Sequence, residues 1–357
     1  MFNRISLFSL SVFLLCCCSG HMNDPYLASL PDPACTLSPT DSLDLEQFEI
    51  LLPSRLIKYD RWVVFEVSQA KSNLVLLNLD TKRTMEAIMV GRGPGEMKQG
   101  GDLHLEGSGA VLTEVNALTQ VSIDLASVQE GYIPVLDTIG TFKNCKNAFG
   151  RLRRVRGGFV STVPYHNTLK EDAWYSLWDV DGYVSAPVMR PKIEGLNKLA
   201  QNYDYFFFNS SMMAARPDGD RLCVAHPGMA VLSFASVEDR TLREVKRIEY
   251  NKPVVVSRGE QSLLDHENSY SCFRSMSPTN DYLYLLYSGK RSQRSGKGEI
   301  PDYESNHLLV YDWDGNLVVR YYLSRNVSSI FVDGDELYCL STYPSSELLV
   351  YQLPKMS

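Results

Sequence analysis

The chain has 357 residues, with 42 Asp and Glu against 35 Lys and Arg, and a formal net charge of −7. That acidic balance argues against a nucleic-acid partner, whose phosphates require clustered Lys and Arg. Of eight cysteines, three stand together at 16–18; the other five (Cys35, Cys145, Cys223, Cys272 and Cys339) are odd in number and lack CxxC spacing, which argues against a zinc site or a disulfide scaffold.

The first element is MFNRISLFSLSVFLLCCCSG, in which Arg4 precedes an apolar run from Ile5 to Leu15 interrupted only by serines. A run that short does not span a bilayer as a helix and reads as a signal peptide. It ends on cysteines rather than on A-x-A, in the manner of a bacterial lipoprotein signal. Leu15 precedes Cys18 by three positions and Leu14 precedes Cys17 likewise, so Cys18 is the expected acylated residue, with Cys17 as the alternative. An ordinary cleaved signal is the simpler reading. No second long apolar run follows, so the expected membrane attachment is through lipid alone. Residues 1–18 are then a signal peptide, and residues 19–43, which contain Pro25, Pro31, Pro33 and Pro39, are expected to form an extended tether. Residues 44–357 are expected to form one folded domain.

In that domain apolar residues alternate at period two between turn residues; Asn197–Gln201 is the best short helical candidate. One strand–turn–strand pattern recurs, beginning at Leu74, Val121, Tyr175, Val231, Leu308 and Leu348. The starts lie 47, 54, 56, 77 and 40 residues apart. Each copy follows a second hairpin, with turns at Gly157-Gly158, Asp218-Gly219, Asn280-Asp281 and Asp333-Gly334 in the last four units. Four strands per repeat at this period predict an all-β, six-bladed β-propeller; a two-sheet sandwich is the alternative. The chain ends before a fourth strand of the sixth unit, so Asp44–Leu51 is predicted to close the ring by pairing beside Leu348–Leu353.

Gly91-Arg92-Gly93-Pro94-Gly95-Glu96 invites comparison with a phosphate-binding loop. The following residues, Gly100-Gly101 and then Asp102–Leu105, read as a strand. No helix N-terminus and no Lys-Ser/Thr follow, so the stretch is expected to be the passage between the first two blades. This loop motif and the later YLYLLYSGK and LLVYDWDGN segments resemble the TolB-like six-bladed propeller lipoproteins of Bacteroides-type bacteria. Arg92, Pro94, Gly95 and Glu96 carry the first motif, and Tyr287-Ser288-Gly289-Lys290 the second. The resemblance covers nearly the whole mature chain and implies fold and envelope location more than activity.

The six histidines lack H-x-H or HExxH spacing. Asp179–Gly182, Asp312–Gly315 and Asp333–Asp335 resemble fragments of calcium loops but fall where hairpin turns need Asp-Gly. No metal and no cofactor is therefore expected, and no G-x-S-x-G elbow marks a catalytic nucleophile. Arg151, Arg153, Arg154 and Arg156 alternate on a strand. They read either as an anion site near the central channel or as a solvated, salt-bridged strand end. Tyr203–Phe208 reads either as a stacking platform for sugar or as core between blades.

Propeller topology places the blade-to-blade passages and the B–C loops on one face, here the loop face. The A–B and C–D turns lie on the other, the turn face. The long, varied loops belong to the first face, so Arg92, Glu96, His166, His226, Lys290 and Arg291 are the candidate ligand-binding residues. The functional expectation is a lipid-anchored module of the cell envelope, periplasmic or outer-membrane, and monomeric. It would bind an envelope protein or an extracellular ligand such as a glycan. A hydrolase or lyase acting on polysaccharide through the same face is the alternative.

Overall fold

The computed structural model describes residues 24–69, 71–93, 96–114, 119–132, 137–141, 151–162, 173–179, 182–183, 187–196, 210–259, 261–292 and 301–356. Six antiparallel sheets succeed one another along the chain. Their innermost strands are Pro53–Tyr59, Gly100–Glu106, Leu152–Val155, Met212–Ala215, Phe273–Pro278 and Ser329–Asp333. These strands neighbour one another around a ring, with the sixth against the first. In each sheet the first three strands pair in chain order from the inner strand outward, and the fifth and sixth sheets are completed at the outer edge by strands from the N-terminal segment. The molecule is the six-bladed propeller that the repeat predicted.

The alternating strands bury their apolar side chains between blades. One core joins Ile57, Val64 and Leu76 of the first blade to Leu103, Leu112 and Ile123 of the second. Another joins Val160 and Leu177 of the third to Val224 and Val231 of the fourth. A blade is therefore half of two cores, and ring closure stabilises the first and last blades together.

Closure uses an N-terminal strand, as predicted, but three residues earlier in the chain. Asp41–Asp44 pairs antiparallel with Glu347–Gln352, setting Asp41 opposite Val350 and Asp44 opposite Glu347. The predicted segment Asp44–Leu51 instead turns. The Asp44 carboxylate accepts hydrogen bonds from Glu46 N (3.0 Å) and Gln47 Nε2 (3.0 Å), and Glu46–Phe48 forms a 3₁₀ turn. The turn lets Leu45 and Ile50, five positions apart, both enter the core between the sixth and first blades. Side-chain capping by Asp won over the apolar alternation.

The tether expected over residues 19–43 is packed on the propeller from Asp24 onward. Pro25–Ser29 is a short helix with Pro in its first turn and Asp24 as its cap, accepting from Tyr26 N (2.7 Å) and Leu27 N (3.3 Å). Tyr26 is only 1% exposed and enters the core between the fourth and fifth blades, its ring 4.9 Å from that of Tyr250 and 5.0 Å from that of Tyr287. Its hydroxyl pairs with that of Tyr311. Thr36–Leu37 then pairs parallel with Tyr322–Leu323, adding a fifth strand to the fifth blade. Proline content suggested an extended segment, but buried Tyr26, the Asp24 hydrogen bonds and the added strand dock it on the propeller. Asn197–Gln201 and Tyr203–Phe208 lie outside the described residues.

Candidate functional site

The six inner strands enclose a channel of about 640 Å3. Its walls carry seven arginines (Arg55, Arg151, Arg153, Arg154, Arg156, Arg216 and Arg274) with the carboxylates Glu106 and Asp218; Asp102, Asp220 and Glu66 stand beside them, leaving an excess of cations. The whole chain carries a net charge of −7, so cationic charge is concentrated where a ligand would be enclosed. Low-dielectric walls strengthen such a field.

The charge divides into two tiers. At the loop-face end, Asp102 is gripped by three arginines from two other blades. Its Oδ1 accepts from Arg55 Nη1 at 3.0 Å, from Arg151 Nη1 at 2.6 Å and from Arg153 Nη2 at 2.9 Å. Its Oδ2 accepts from Arg153 Nη1 at 2.5 Å. Burial alone would raise the Asp102 pKa. Arg153, Arg151 and Arg55 outweigh it and hold the carboxyl far below the usual carboxylate range. Burial and the nearby Arg55 in turn push the Arg151 guanidinium down to about 10. Asp102 and Glu66 act in the opposite sense, favouring the charged guanidinium. Glu66 adds a second carboxylate nearby, already occupied by Leu103 N (3.0 Å) and Ser54 Oγ (3.1 Å). Arg55 and Arg151 keep side-chain exposures of 27% and 19%, so donors remain open to the channel. Arg274 stands on the fifth blade's inner strand at the same end.

The backbone at Asp102 is specialised for this contact. Its φ is +64°, in the left-handed region that side chains avoid, and the pairing with the next strand shifts register between Gly101 and His104. Such a bulge re-aims a side chain at a cost of order 1–3 kcal/mol. Gly100 must lack a side chain, because a Cβ there would lie 2.3 Å from Leu112 Cδ2.

The turn-face tier is close to neutral. His104 Nε2 lies 3.2 Å from Glu106 Oε1, and Arg154 Nε lies 3.6 Å from Glu106 Oε2. Arg216 pairs with Asp218 and with Asp220 (3.0 Å). Exposed Arg156 completes the rim. The cationic excess therefore sits at the loop-face end, where spare guanidinium donors could hold a carboxylate, sulfate or phosphate bidentately.

The candidates named from sequence do not gather there. Arg92 is exposed on the passage between the first and second blades. Glu96 folds back over the same loop, its Oε2 accepting from Gly93 N at 2.7 Å. It fills the space beside Gly91, where a Cβ would lie 1.9 Å from that oxygen. The glycines make room for an acid that closes its own loop. His226 is fully buried, its Nδ1 accepting from Gly228 N at 3.0 Å. Lys290 Nζ donates to Glu304 O (2.5 Å) and Asn326 Oδ1 (3.3 Å). Arg291 stacks on Tyr270 at 4.5 Å and donates to Glu267 O at 3.2 Å. His166, Cys17, Cys18 and Cys145 lie outside the described residues. Cys223, Cys272 and Cys339 are buried free thiols and Cys35 is exposed. The Asp312 carboxylate accepts from Asn316 N (2.7 Å) in its own hairpin turn. Among the described residues, no group of three or more His, Cys, Asp or Glu could hold a metal ion.

Sequence reasoning found Arg151, Arg153, Arg154 and Arg156 but missed Arg55, Asp102, Arg216 and Arg274. For Arg55, Asp102 and Arg274 the available signal was a charged residue in the first half of an inner strand, repeated in several blades; Arg216 follows the end of its strand.

The profile of TolB-like 6-blade propeller-like proteins matches residues 78–335. A member of the DUF4221 family from Bacteroides vulgatus superposes with a TM-score of 0.56 at 12% identity, over 88% of this chain and 97% of that one. An exported protein of Bacteroides fragilis superposes with a TM-score of 0.50 at 9% identity, over 90% of this chain and 99% of that one. At such identities the likeness is one of fold. No curated protein matches this chain in sequence.

Proposed function

The chain belongs to the TolB-like six-blade propeller family, and from that premise we propose that it is a binding module of the cell envelope which takes an anionic ligand into its central channel. The carrying observation is the Arg55–Arg151–Arg153 cluster, in which three guanidinium groups share the single carboxylate of Asp102. An acid-bearing glycan matches the site best. Its carboxylate or sulfate would meet the spare donors, and its body would lie along the walls of an enclosed channel of about 640 Å3. Envelope placement is supported by the lipoprotein-type N-terminus, with Cys18 as the acylated residue, and by the exported protein of the same fold. The proposed attachment is a lipid on Cys18; among the described residues no helix is long and apolar enough to cross a membrane.

The test is binding of the purified protein to paired acidic and neutral oligosaccharides, before and after Arg55→Gln and Arg151→Gln. Acidic members alone should bind, with affinity falling as salt rises. Each substitution should weaken them at least about tenfold, the usual scale for a charged hydrogen bond. Equal binding of neutral members, or indifference to both substitutions, refutes the reading. Arg92→Ala and Lys290→Ala serve as loop-face comparisons. Cleavage of a bound glycan would replace the binding module with an enzyme, for which His104 and Glu106 form the titratable pair within the channel.

A further inference from the structure

Asp24 fixes where the N-terminal segment leaves the propeller. Its carboxylate accepts from Tyr287 Oη (2.7 Å) and Asn251 Nδ2 (2.7 Å). Tyr287 ends the second strand of the fifth blade, and Asn251 opens the passage from the fourth blade to the fifth, so both stand at the loop face. Six residue steps separate Asp24 from Cys18. Fully extended, they reach about 22 Å. A six-residue strand such as Tyr282–Tyr287 already rises roughly 20 Å. A lipid at Cys18 therefore cannot place the turn face on the bilayer without spending the whole tether on the height of one blade.

The exposed apolar side chains show the same polarity. Among the described residues, Leu51 (51%), Leu52 (70%), Met89 and Val90 stand exposed at the loop-face end of the first blade. On the far side of the ring, the passage that holds Asp24 carries an extra hairpin, Val255–Arg258 with Gln261–Leu264, which belongs to no blade. Val254 and Val256, two positions apart and so on one face, are 41% and 44% exposed there, while Ser262 and Leu264 of the partner strand are buried. The turn face exposes only Tyr132 and Val318 among its described large apolar residues. Exposed Arg92 and Lys98 stand beside the first cluster. Exposed Glu49 and Glu96 stand there too, so the apolar rim is bordered by charges of both signs; exposed apolar side chains on the face from which a lipidated segment emerges are complementary to a phospholipid surface.

We infer that the loop face seats on the membrane, with Leu51, Leu52, Val254 and Val256 at the lipid interface, and that the turn-face mouth of the channel opens away from it. This orientation rests on the reading of Cys18 as acylated. Ligand would then enter past Arg156 and Arg216, and the Asp102 cluster would form the membrane-proximal end of the channel.

The test uses the full chain, expressed with its own signal and reconstituted in vesicles of phosphatidylethanolamine and phosphatidylglycerol. In a Cys35→Ser background, single cysteines replace Leu52, Val256, Tyr132 or Val318 and carry a fluorophore; the parent without an added cysteine gives the background. A quencher attached to lipid should reduce emission several-fold more at positions 52 and 256 than at 132 and 318. The pair Val254→Asp and Val256→Asp should lower quenching at position 52 with the melting midpoint unchanged. Equal quenching on both faces, or more on the turn face, overturns the seat. Protein that does not float with the vesicles at all removes the acylation reading beneath it, a distinct failure seen before any label is read.

Discussion

Asp102→Asn tests whether the inner-strand cluster is a ligand site or a closed structural brace. The substitution keeps shape and volume but removes the charge that three guanidinium groups share at 2.5–3.0 Å. Removing one partner of a buried ion network costs about 3–5 kcal/mol. Arg55 and Arg151 keep some access to water, which favours the lower end of that range. For a domain of this size the midpoint of thermal unfolding should fall by roughly 5–10 °C. The same change leaves three cations at the channel wall with Glu66 as the nearby carboxylate, so citrate or sulfate should restore stability. An anion at tenfold its dissociation constant adds about 1.4 kcal/mol, and the variant should gain more than the parent from each addition. Acid supplies an internal check of sign. The Asp102 pKa is depressed in the folded protein, so its stabilisation is fully present above the unfolded value near 3.9. It is lost as pH falls through the lower folded value. Parent and variant should therefore converge in stability only below about pH 4. An unchanged midpoint at neutral pH would show that the network contributes nothing. A lowered midpoint that no anion raises would show that the arginines are a closed brace, and the proposed function would fall.

The remaining expectations concern the frame that holds the channel. Tyr26→Ala should destabilise the protein by about 3–5 kcal/mol, as for other buried aromatic residues, and Tyr26→Phe by about 1 kcal/mol for the lost hydroxyl pair; urea unfolding that is indifferent to both would show the docked strap to be dispensable. Deleting residues 41–50 should abolish cooperative unfolding, because it removes both the closing strand and the Leu45–Ile50 turn from the core between the sixth and first blades; a truncated chain that melts with the parent refutes closure. Gly91→Ala should cost no more than about 1 kcal/mol, because the Glu96 carboxylate it displaces sits on a flexible side chain and loses one hydrogen bond. In a Glu96→Ala background the same change should cost nothing, and a cycle without coupling would dismiss the contact.

What could be read from the sequence followed the range of the interaction. Hairpins are local, so Asp218-Gly219 and Asp333-Gly334 marked their turns correctly, both glycines having positive φ. The period of the repeat then set the ring. Closure was legible as a need for a missing strand but not in its register, because Leu45 and Ile50, five positions apart, would face opposite sides of a strand and share one core only through the turn after Asp44. The docked strap was illegible for a different reason. Nothing in PYLAS distinguishes a buried Tyr26 from a solvated one until the fourth and fifth blades supply Tyr250, Phe273 and Tyr287 around it.

The site was the least legible feature, and the reason lies in how a propeller is assembled. Inner strands are near neighbours only across blades, so Asp102 meets Arg55 from 47 positions away and Arg153 from 51. No local spacing encodes those contacts. In the sequence the loops draw attention because Arg92, Lys290 and Arg291 are cations on the varied face. Two of those three already have partners in their own blade, Lys290 with Glu304 O and Arg291 with Tyr270. Arg55, Arg151 and Arg153 differ in sharing one carboxylate, that of Asp102. The two blades that flank the second aim cations at a common volume, and one strained aspartate holds three of them in place. A stability brace alone would need only as many charges as it can pair. The excess at the loop-face end is therefore the feature that asks for a ligand, and it exists only once the ring has closed.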